Sequence, residues 1–205
     1  MLFFTTVSPR ALELLKKLQP RPVFNHFYLV GGTALALKYG HRVSIDLDFF
    51  TSNEFDTNFL IDVLKEKFSI SILAQAANSL TLDIASVKTD FIRHNYPLLN
   101  QVREEEGIRM ASVEDIAAMK LNSTMNRGAK KGFFDIYELL NHFTLEQLLA
   151  FHSRKYDFSS QLILLKSLVY FDDAEKEPDP VLIKPVNWFQ VKQKINAMVS
   201  ALAKG

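Results

Sequence analysis

The sequence predicts a mixed α/β (α+β) fold in which a small mixed sheet with its helices comes first and a C-terminal helical bundle follows. In the first half of the 205-residue chain, short apolar runs with strand-like alternation recur between segments of helical spacing. The second half shows helical spacing almost throughout. Pro97 and the acidic run 104–106 indicate a linker or an exposed loop, and we expect domains over 1–105 and 106–205.

In the first half, helix-capping residues and helix-breaking residues mark the bounds of the predicted elements. Ser8 followed by Pro9 is typical of a helix start, and an apolar stripe continues from there to Leu18. The later elements follow from the change between helical and alternating patterns. We expect strands over 27–30, 45–50, 69–73, 80–85 and 88–92, and helices over 33–38 and 55–68.

The second half reads as a series of helices. Ser112-x-x-Asp115 resembles a capping box with Asp in place of Glu or Gln, and Thr144-x-x-Gln147 is a second such start. We expect helices over 113–125, 133–143, 158–170 and 186–202, one more after Thr144, and a loop over 172–180.

Composition excludes several classes of protein. The net charge is +1 and the charged fraction is 23%, so a nucleic-acid contact needs a local basic patch. The absence of cysteine excludes a disulfide scaffold, a thiolate nucleophile and a Cys-based zinc site. The five histidines lack zinc-site spacing. Without a signal peptide or a long apolar run, we expect a cytoplasmic protein with no membrane contact.

The segment Gly31-Gly32-Thr33 indicates a phosphate site. It follows a predicted strand and opens a predicted helix, so bare backbone amides stand at a helix N-terminus, where an anion is favoured. Glycine allows close approach of a phosphate, and the Thr33 hydroxyl could add a donor. An ordinary tight turn with a helix cap is the alternative.

The pair Asp46 and Asp48 indicates a cation site. Residues two apart on a strand face the same side at a distance of roughly 6.6 Å. Two carboxylates on one face repel unless a cation lies between them, and Mg²⁺ prefers such oxygen ligands. Ile45, Leu47 and Phe49 should then point to the buried face. Two surface aspartates on an edge strand are the alternative.

A third carboxylate from a later strand could complete this site. Asp90 and Asp83 both alternate with apolar residues, and spacing alone does not choose between them. Three carboxylates can hold two divalent ions about 3.5–4 Å apart, which activate an attacking hydroxyl and neutralise a leaving group.

A basic patch lies downstream. Lys120 and Arg127 are two helical turns apart, and Lys131 follows in a turn over 129–131 between two glycines. Such a patch suits triphosphate or nucleic-acid phosphate. The alternative is a solvated helix face on which Lys131 pairs with Asp135.

Taken together, these motifs resemble the polymerase-β-like nucleotidyltransferase superfamily and, within it, the nucleotidyl transferase AbiEii/AbiGii toxin family. The resemblance covers about residues 25 to 145. Its matching stretches are Val30–Leu37, His41–Phe50, Val87–Ile92, Tyr96–Leu99, Gly107–Leu121, Arg127–Lys131 and Phe134–Tyr137.

The resemblance implies a role for each matching position. Asp46, Asp48 and Asp90 would bind two Mg²⁺ ions, and Asp90 is preferred to Asp83 because it matches the family's third acidic position. Lys120 would be a catalytic or phosphate-binding lysine, and the helical domain would complete the active-site cleft. The residues implied to contact the nucleotide are Gly31, Gly32, Thr33, Arg42, Ser44, Arg127, Lys131 and Asp135.

The implied reaction moves a nucleotidyl group from an NTP to a hydroxyl acceptor, either RNA (perhaps a tRNA end) or protein, in a toxin–antitoxin or phage-defence system with a cognate antitoxin. The family usually has Asp after the Lys-Lys pair, where this chain has Gly132. Two alternatives are an antibiotic-type nucleotidyltransferase that acts on a small molecule and a catalytically silent nucleotide- or partner-binding module.

Overall fold

The chain forms two compact units in a computed structural model that describes residues 1–126, 128–156 and 160–203. The sheet unit comprises Met1–Tyr96 and Gln101–Ala111, and the helical unit comprises Pro97–Asn100 and Ser112–Gly205. The predicted order, sheet first and helices second, is confirmed. The expected boundary at 105/106 falls inside a β-hairpin, and the sheet unit continues through Ala111.

The sheet unit contains a mixed sheet of seven strands. Its strands are β1 (Tyr28–Val30), β2 (Leu47–Thr51), β3 (Ile70–Ala76), β4 (Ser79–Ile84), β5 (Val87–Arg93), β6 (Arg103–Glu105) and β7 (Ile108–Met110). Its α-helices are α1 (Pro9–Leu18), α2 (Gly31–Tyr39) and α3 (Thr57–Lys65), with single 3₁₀ turns at Phe4–Thr6 and Pro22–Phe24.

The strand order places the chemically interesting strands at the centre of the sheet. The order is β3-β4-β5-β2-β1-β7-β6. Strand β2 pairs parallel with β5 and antiparallel with β1, and β1 also pairs parallel with β7. Residues on β2 and β5 therefore have neighbours on both sides, which holds their side chains in defined positions.

The hairpin formed by β6 and β7 differs from what the sequence predicts. We expected a linker or an exposed loop at 104–106, but Arg103–Glu105 pairs with Ile108–Met110 around a turn at Glu106 and Gly107. Both turn residues have positive φ, 51° and 78°. Strand β6 is an edge strand made of charged residues, which discourage pairing of the sheet edge with another chain. It therefore lacks the apolar alternation by which strands are recognised in a sequence.

A cluster of phenylalanines forms the core beneath one face of the sheet. Phe91 of β5 contacts the rings of Phe24, Phe27 and Phe49, with centroid distances of 5.6, 5.3 and 5.3 Å. All four side chains are buried. This aromatic face sets the orientation of β2 and β5, because each alternate residue must then point to the opposite face.

The helical unit contains six helices in its described residues. They are α4 (Val113–Asn126), α5 (Lys130–Leu139), α6 (Leu145–Lys155), α7 (Gln161–Leu168), α8 (Asp172–Glu175) and α9 (Trp188–Leu202). The predicted capping box at Thr144 and Gln147 is present. Short helix α8 lies where we expected only a loop. Residues 157–159, in which the predicted helix 158–170 begins, lie outside the described residues.

Asp115 anchors the start of the helical unit. Its backbone N–H donates to the Ser112 hydroxyl at 3.0 Å, as the predicted cap requires. Its carboxylate also binds groups outside the cap. It accepts hydrogen bonds from Leu99 N, Asn100 N and Lys155 Nζ at 2.9, 3.2 and 2.7 Å. Asp115 and Lys155 form an ion pair in which both side chains are 0% exposed.

Trp188 is a packing anchor of the helical unit. Its ring packs against Phe133, Phe134 and Phe171 at centroid distances of 5.8, 5.8 and 5.6 Å. The neighbouring Phe189 is 68% exposed. Within the described residues, no helix has the length and apolar character needed to cross a membrane.

Candidate active site

Asp48 and Asp90 are neighbours on two adjacent strands. The parallel pairing of β2 and β5 places Asp48 directly opposite Asp90. The next residues, Phe49 and Phe91, are buried and their rings stack with an interplanar angle of 11°. Since side chains alternate along a strand, both carboxylates lie on the other, half-buried face of the sheet.

The register also separates the two candidates for the third carboxylate. Asp83 lies on β4, which pairs with β5 and not with β2, and it stands opposite Lys88. Its Oδ1 accepts a hydrogen bond from Ser86 N at 2.8 Å. Ser86 lies in the β4–β5 turn and has a φ of 67°, so Asp83 stabilises that turn. Asp90, in contrast, lies next to Asp48.

Gly31 lies directly against the carboxylate of Asp48. It begins α2 with a φ of +71°, a conformation that residues with a side chain rarely adopt. A Cβ placed on Gly31 would lie 2.1 Å from Asp48 Oδ2. Glycine is therefore required twice, by its backbone conformation and by the closeness of the carboxylate. The N-terminus of α2 and the Asp48 carboxylate thus share one small region.

The Thr33 hydroxyl holds the segment that leads into β2. Thr33 is 1% exposed, donates to the Asp46 carbonyl and is hydrogen-bonded to the Ser44 hydroxyl at 2.8 Å. The backbone of Ser44 is also held, because Ser44 N donates to Thr6 O and Ser44 O accepts from Ser8 N. In this structure the two hydroxyls position Asp46. A contact of either hydroxyl with a nucleotide stays a prediction.

Arg42 is also engaged within the fold. Its side chain is buried, at 3% exposed, and Nη1 donates to Val43 O at 3.1 Å. A nucleotide could reach this guanidinium only if the surrounding chain moved. The predicted contact between Arg42 and the nucleotide has therefore no support in the geometry and stays a prediction.

Asp46 opens into a concavity of about 550 Å³ on the surface of the sheet unit. The concavity is lined by Ser8, Pro9, Arg10, Ile45, Asp46, Asp83, Ser86 and Lys88. The expectation that Ile45 points to the buried face is wrong, because Ile45 is 62% exposed. Strand β2 begins only at Leu47, so the alternation of the strand does not extend back to residue 45.

Lys88 is a residue of this site that the sequence analysis did not assign. Its Nζ lies 3.2 Å from Asp90 Oδ2, and its side chain is 52% exposed. The sequence held a signal for it, because Lys88 precedes Asp90 by two positions on the same strand and so shares its face. Lys88 neutralises part of the negative charge of the carboxylate pair.

The arrangement of Asp48 and Asp90 fits a magnesium ion. One oxygen, Asp90 Oδ1, is buried and lacks a hydrogen-bond partner among the described residues. No group of three or more His, Cys, Asp or Glu side chains that could hold a metal ion occurs in residues 1–126, 128–156 and 160–203. Two carboxylates are nevertheless sufficient, because Mg²⁺ usually keeps several waters and shares its remaining ligands with substrate phosphates.

Lys120, the first of the downstream basic residues, has a partner of its own in the helical unit. Lys120 Nζ lies 2.7 Å from Asp135 Oδ2, and Asp135 is 0% exposed, so Asp135 is a buried ion-pair partner rather than a surface one. The expected turn over 129–131 is instead the start of α5 at Lys130. Lys131 is exposed. Arg127 lies outside the described residues.

Lys130 does not belong to an exposed basic patch. Its side chain is 8% exposed and pairs with Asp179 at 3.2 Å. Its Nζ also lies 5.3 Å from the centroid of the Trp188 ring. Both partners of Lys130 lie in the helical unit, so its charge is neutralised there. Because both are distant in the sequence, local spacing could not predict these contacts.

The chain matches one protein family over almost its whole length. Residues 13–97 and 67–202 match a family described as nucleotidyl transferase AbiEii toxin, type IV TA system. A relative from Aquifex aeolicus (strain VF5), the uncharacterized protein aq_aa25, is 38% identical over 174 residues. That alignment covers 80% of this chain and 83% of the relative.

Solved structures share the fold at lower identity. A candidate nucleotidyltransferase from H. pylori has a TM-score of 0.62 at 22% identity, with 96% of each chain covered. JHP933 from Helicobacter pylori has a TM-score of 0.59 at 24% identity, covering 97% of this chain and 94% of its own. MenT4, a nucleotidyltransferase toxin from Mycobacterium tuberculosis H37Rv, has a TM-score of 0.58 at 13% identity, covering 96% and 86%.

Proposed function

Because the chain belongs to the nucleotidyl transferase AbiEii toxin family, we propose that it is a magnesium-dependent enzyme that transfers a nucleotidyl group from an NTP to a hydroxyl on RNA or protein. The observation that carries the proposal is the register that places Asp48 beside Asp90, with Gly31 against Asp48. An acidic pair beside the glycine start of a helix suits a triphosphate accompanied by a divalent ion.

In the proposed reaction the acceptor oxygen attacks the α-phosphorus of the NTP. A bond forms between that oxygen and the α-phosphorus, the bond from the α-phosphorus to the β-bridging oxygen breaks, and pyrophosphate leaves. Asp90 takes the proton of the hydroxyl, because it is the carboxylate beside Asp48 and its Oδ1 has no partner among the described residues. Gly31 and Gly32 let the triphosphate approach the N-terminus of α2.

Asp48 and Asp90 are the proposed magnesium ligands, and the third ligand expected from the sequence, Asp46, precedes β2 and lines the concavity, so its contact with the ion stays a prediction. The chemistry that magnesium supplies when bound is neutralisation of the charge on the triphosphate and on the leaving pyrophosphate. Thr33 and Ser44 keep the backbone of Asp46 in place. They act as positioning residues, so their removal should disturb metal binding without removing a ligand.

We further propose that the chain is the toxin of a type IV toxin–antitoxin pair. Family membership supports this assignment, and a cognate antitoxin is then the proposed partner. The acceptor is a hydroxyl of RNA or protein, and the experiment below distinguishes the two. Substitution of Asp48 should remove toxicity if the transfer reaction is its cause.

The direct test incubates the protein with Mg²⁺ and each α-labelled NTP, first with total RNA and then with protein extract. Wild type should label one of the two acceptor classes, whereas Asp48→Asn and Asp90→Asn should label neither. Asp83→Asn is the matched control, since it removes a carboxylate from the adjacent strand β4 and should keep activity. Equal label transfer by wild type and Asp48→Asn would contradict the proposed mechanism.

A further inference from the structure

A row of aromatic rings lies on the same face of the sheet as the carboxylate pair. Phe50 follows Asp48 by two residues on β2 and therefore shares its face. The His94 ring stacks on Phe50 with a centroid distance of 4.8 Å and an interplanar angle of 19°. Tyr96 continues the row, 5.0 Å from the His94 ring. We call Phe50, His94 and Tyr96 the aromatic row.

The backbone holds the aromatic row in a fixed relation to the carboxylates. Phe50 lies opposite Ile92 in the β2–β5 pairing, two positions beyond Asp48 and Asp90. His94 N donates to Thr51 O at 2.8 Å, which ties the end of β5 to the end of β2. The row therefore begins roughly 6.6 Å along the strands from the carboxylate pair.

The exposure of the rings increases along the row. Phe50 and His94 are half-buried, and Tyr96 is 50% exposed. The other aromatic cluster of the sheet unit, around Phe91, is buried on the opposite face and forms the core. The aromatic row thus reaches solvent at Tyr96, whose ring is tilted by 52° from the His94 ring, and His94 in turn stacks on Phe50.

We propose that the aromatic row, with Tyr96 as its outermost ring, is the stacking surface for a nucleobase. The inference rests on the proposed function, which brings an NTP or an RNA hydroxyl to Asp48 and Asp90. A base attached to either substrate must lie within a few residues of the carboxylates. Bases stack on aromatic side chains regardless of their identity, since every base has a π-face. The row supplies such a surface at the C-terminal ends of β2 and β5, beginning two positions beyond the carboxylates.

Tyr96→Ala is the direct test of the nucleobase contact, and Tyr96→Phe is its conservative partner because it keeps the ring. Phe59→Ala is the matched control, since Phe59 is 58% exposed in the same unit but lines a separate concavity with Phe27 and Phe55. Binding is measured by isothermal titration with three probes in the presence of Mg²⁺. The probes are non-hydrolysable NTP analogues, inorganic tripolyphosphate and a short single-stranded RNA.

Tyr96→Ala should weaken binding of the NTP analogue or of the RNA by about fivefold to a hundredfold, the range for loss of one base–aromatic stack. Tripolyphosphate has no base, so its affinity should not change. Tyr96→Phe and Phe59→Ala should bind all probes like wild type. Loss confined to the NTP analogue assigns the base of the donor, and loss confined to the RNA assigns the base of the acceptor.

Unchanged affinity of Tyr96→Ala for both the NTP analogue and the RNA would overturn the inference while leaving the proposed function intact. An equal loss for tripolyphosphate would also overturn it, because the effect would then not concern the base. Absence of NTP and tripolyphosphate binding by wild type would contradict the proposed function itself, and with it the stacking surface.

Discussion

The carboxylate of Asp48 lies against the backbone of Gly31, so close that a Cβ on Gly31 would stand 2.1 Å from Asp48 Oδ2. One residue begins helix α2 and the other lies at the centre of the sheet, opposite Asp90. This contact joins the two parts of the proposed site, the helix N-terminus suited to phosphate and the acidic pair suited to magnesium. It also makes the site sensitive to a single methyl group.

Gly31→Ala should abolish binding of Mg²⁺ and NTP, because the new methyl displaces the Asp48 carboxylate. The positive φ of +71° adds a stability loss of about 1–2 kcal/mol. Gly107→Ala is the matched control, since Gly107 has a φ of +78° and nothing within 4 Å of the added Cβ. Urea unfolding should show a loss in both variants, whereas titration should show lost binding only in Gly31→Ala. Equal binding by the two variants would contradict the role of this contact.

Lys88→Met should tighten the binding of Mg²⁺ or Mn²⁺ in the absence of nucleotide. The Lys88 ammonium lies 3.2 Å from Asp90 Oδ2 and competes with a cation for that oxygen. Because the lysine is half-exposed, the ion pair is weak and the gain should be only about twofold to fivefold. Lys88→Arg keeps the charge and should show no gain. If Lys88→Met binds the ion more weakly than wild type, Lys88 does not compete for Asp90.

Lys155→Met should destabilise the helical unit strongly. It removes the partner of Asp115 in an ion pair that is 0% exposed on both sides, and loss of one member of a buried pair costs about 3–5 kcal/mol. Lys17→Met removes the exposed partner of Glu13 and should leave the free energy of unfolding almost unchanged. Urea unfolding compares the two. Equal effects would show that the buried pair adds nothing to the stability of the unit.

The stability of the protein should fall as the pH falls below about 6.5, in part because of His152. Burial lowers the pKa of His152 from its ordinary value. The unfolded chain therefore binds a proton at a higher pH than the folded chain, so acid favours unfolding until the folded pKa is reached. Urea unfolding from about pH 7.5 to about pH 5.5 should show a shallower pH slope for His152→Gln than for wild type. If the free energy of unfolding of His152→Gln and of wild type depended on pH with the same slope, His152 would not contribute to the loss of stability in acid.

The central strands of the sheet could be predicted because their side chains alternate. Leu47, Phe49 and Phe91 are apolar and Asp48 and Asp90 are polar, so the sequence itself indicates which face each residue takes. The pairing of β2 with β5 was not contained in that pattern. It depends on strand order, and the register separates Asp90 from Asp83 where their spacing in the sequence does not.

Other features could not be predicted from the sequence, because the contacting residues are distant in sequence or because the composition of the segment is misleading. Lys155 reaches Asp115 across 40 positions, and Lys130 reaches Asp179, so neither contact follows from local spacing. The acidic run 104–106 looked like a linker because edge strand β6 carries charges instead of alternating apolar residues. The aromatic row was hidden because His94 lies beyond the end of β5 and meets Phe50 only through the strand pairing.

The most direct test of the account is isothermal titration of Mg²⁺ together with a non-hydrolysable NTP into wild type, Asp48→Asn, Asp90→Asn and Asp83→Asn. Wild type and Asp83→Asn should bind alike, whereas Asp48→Asn and Asp90→Asn should lose binding, because the ion is held by the two carboxylates that face each other across β2 and β5. Binding by Asp48→Asn and Asp90→Asn as tight as that of wild type would contradict it.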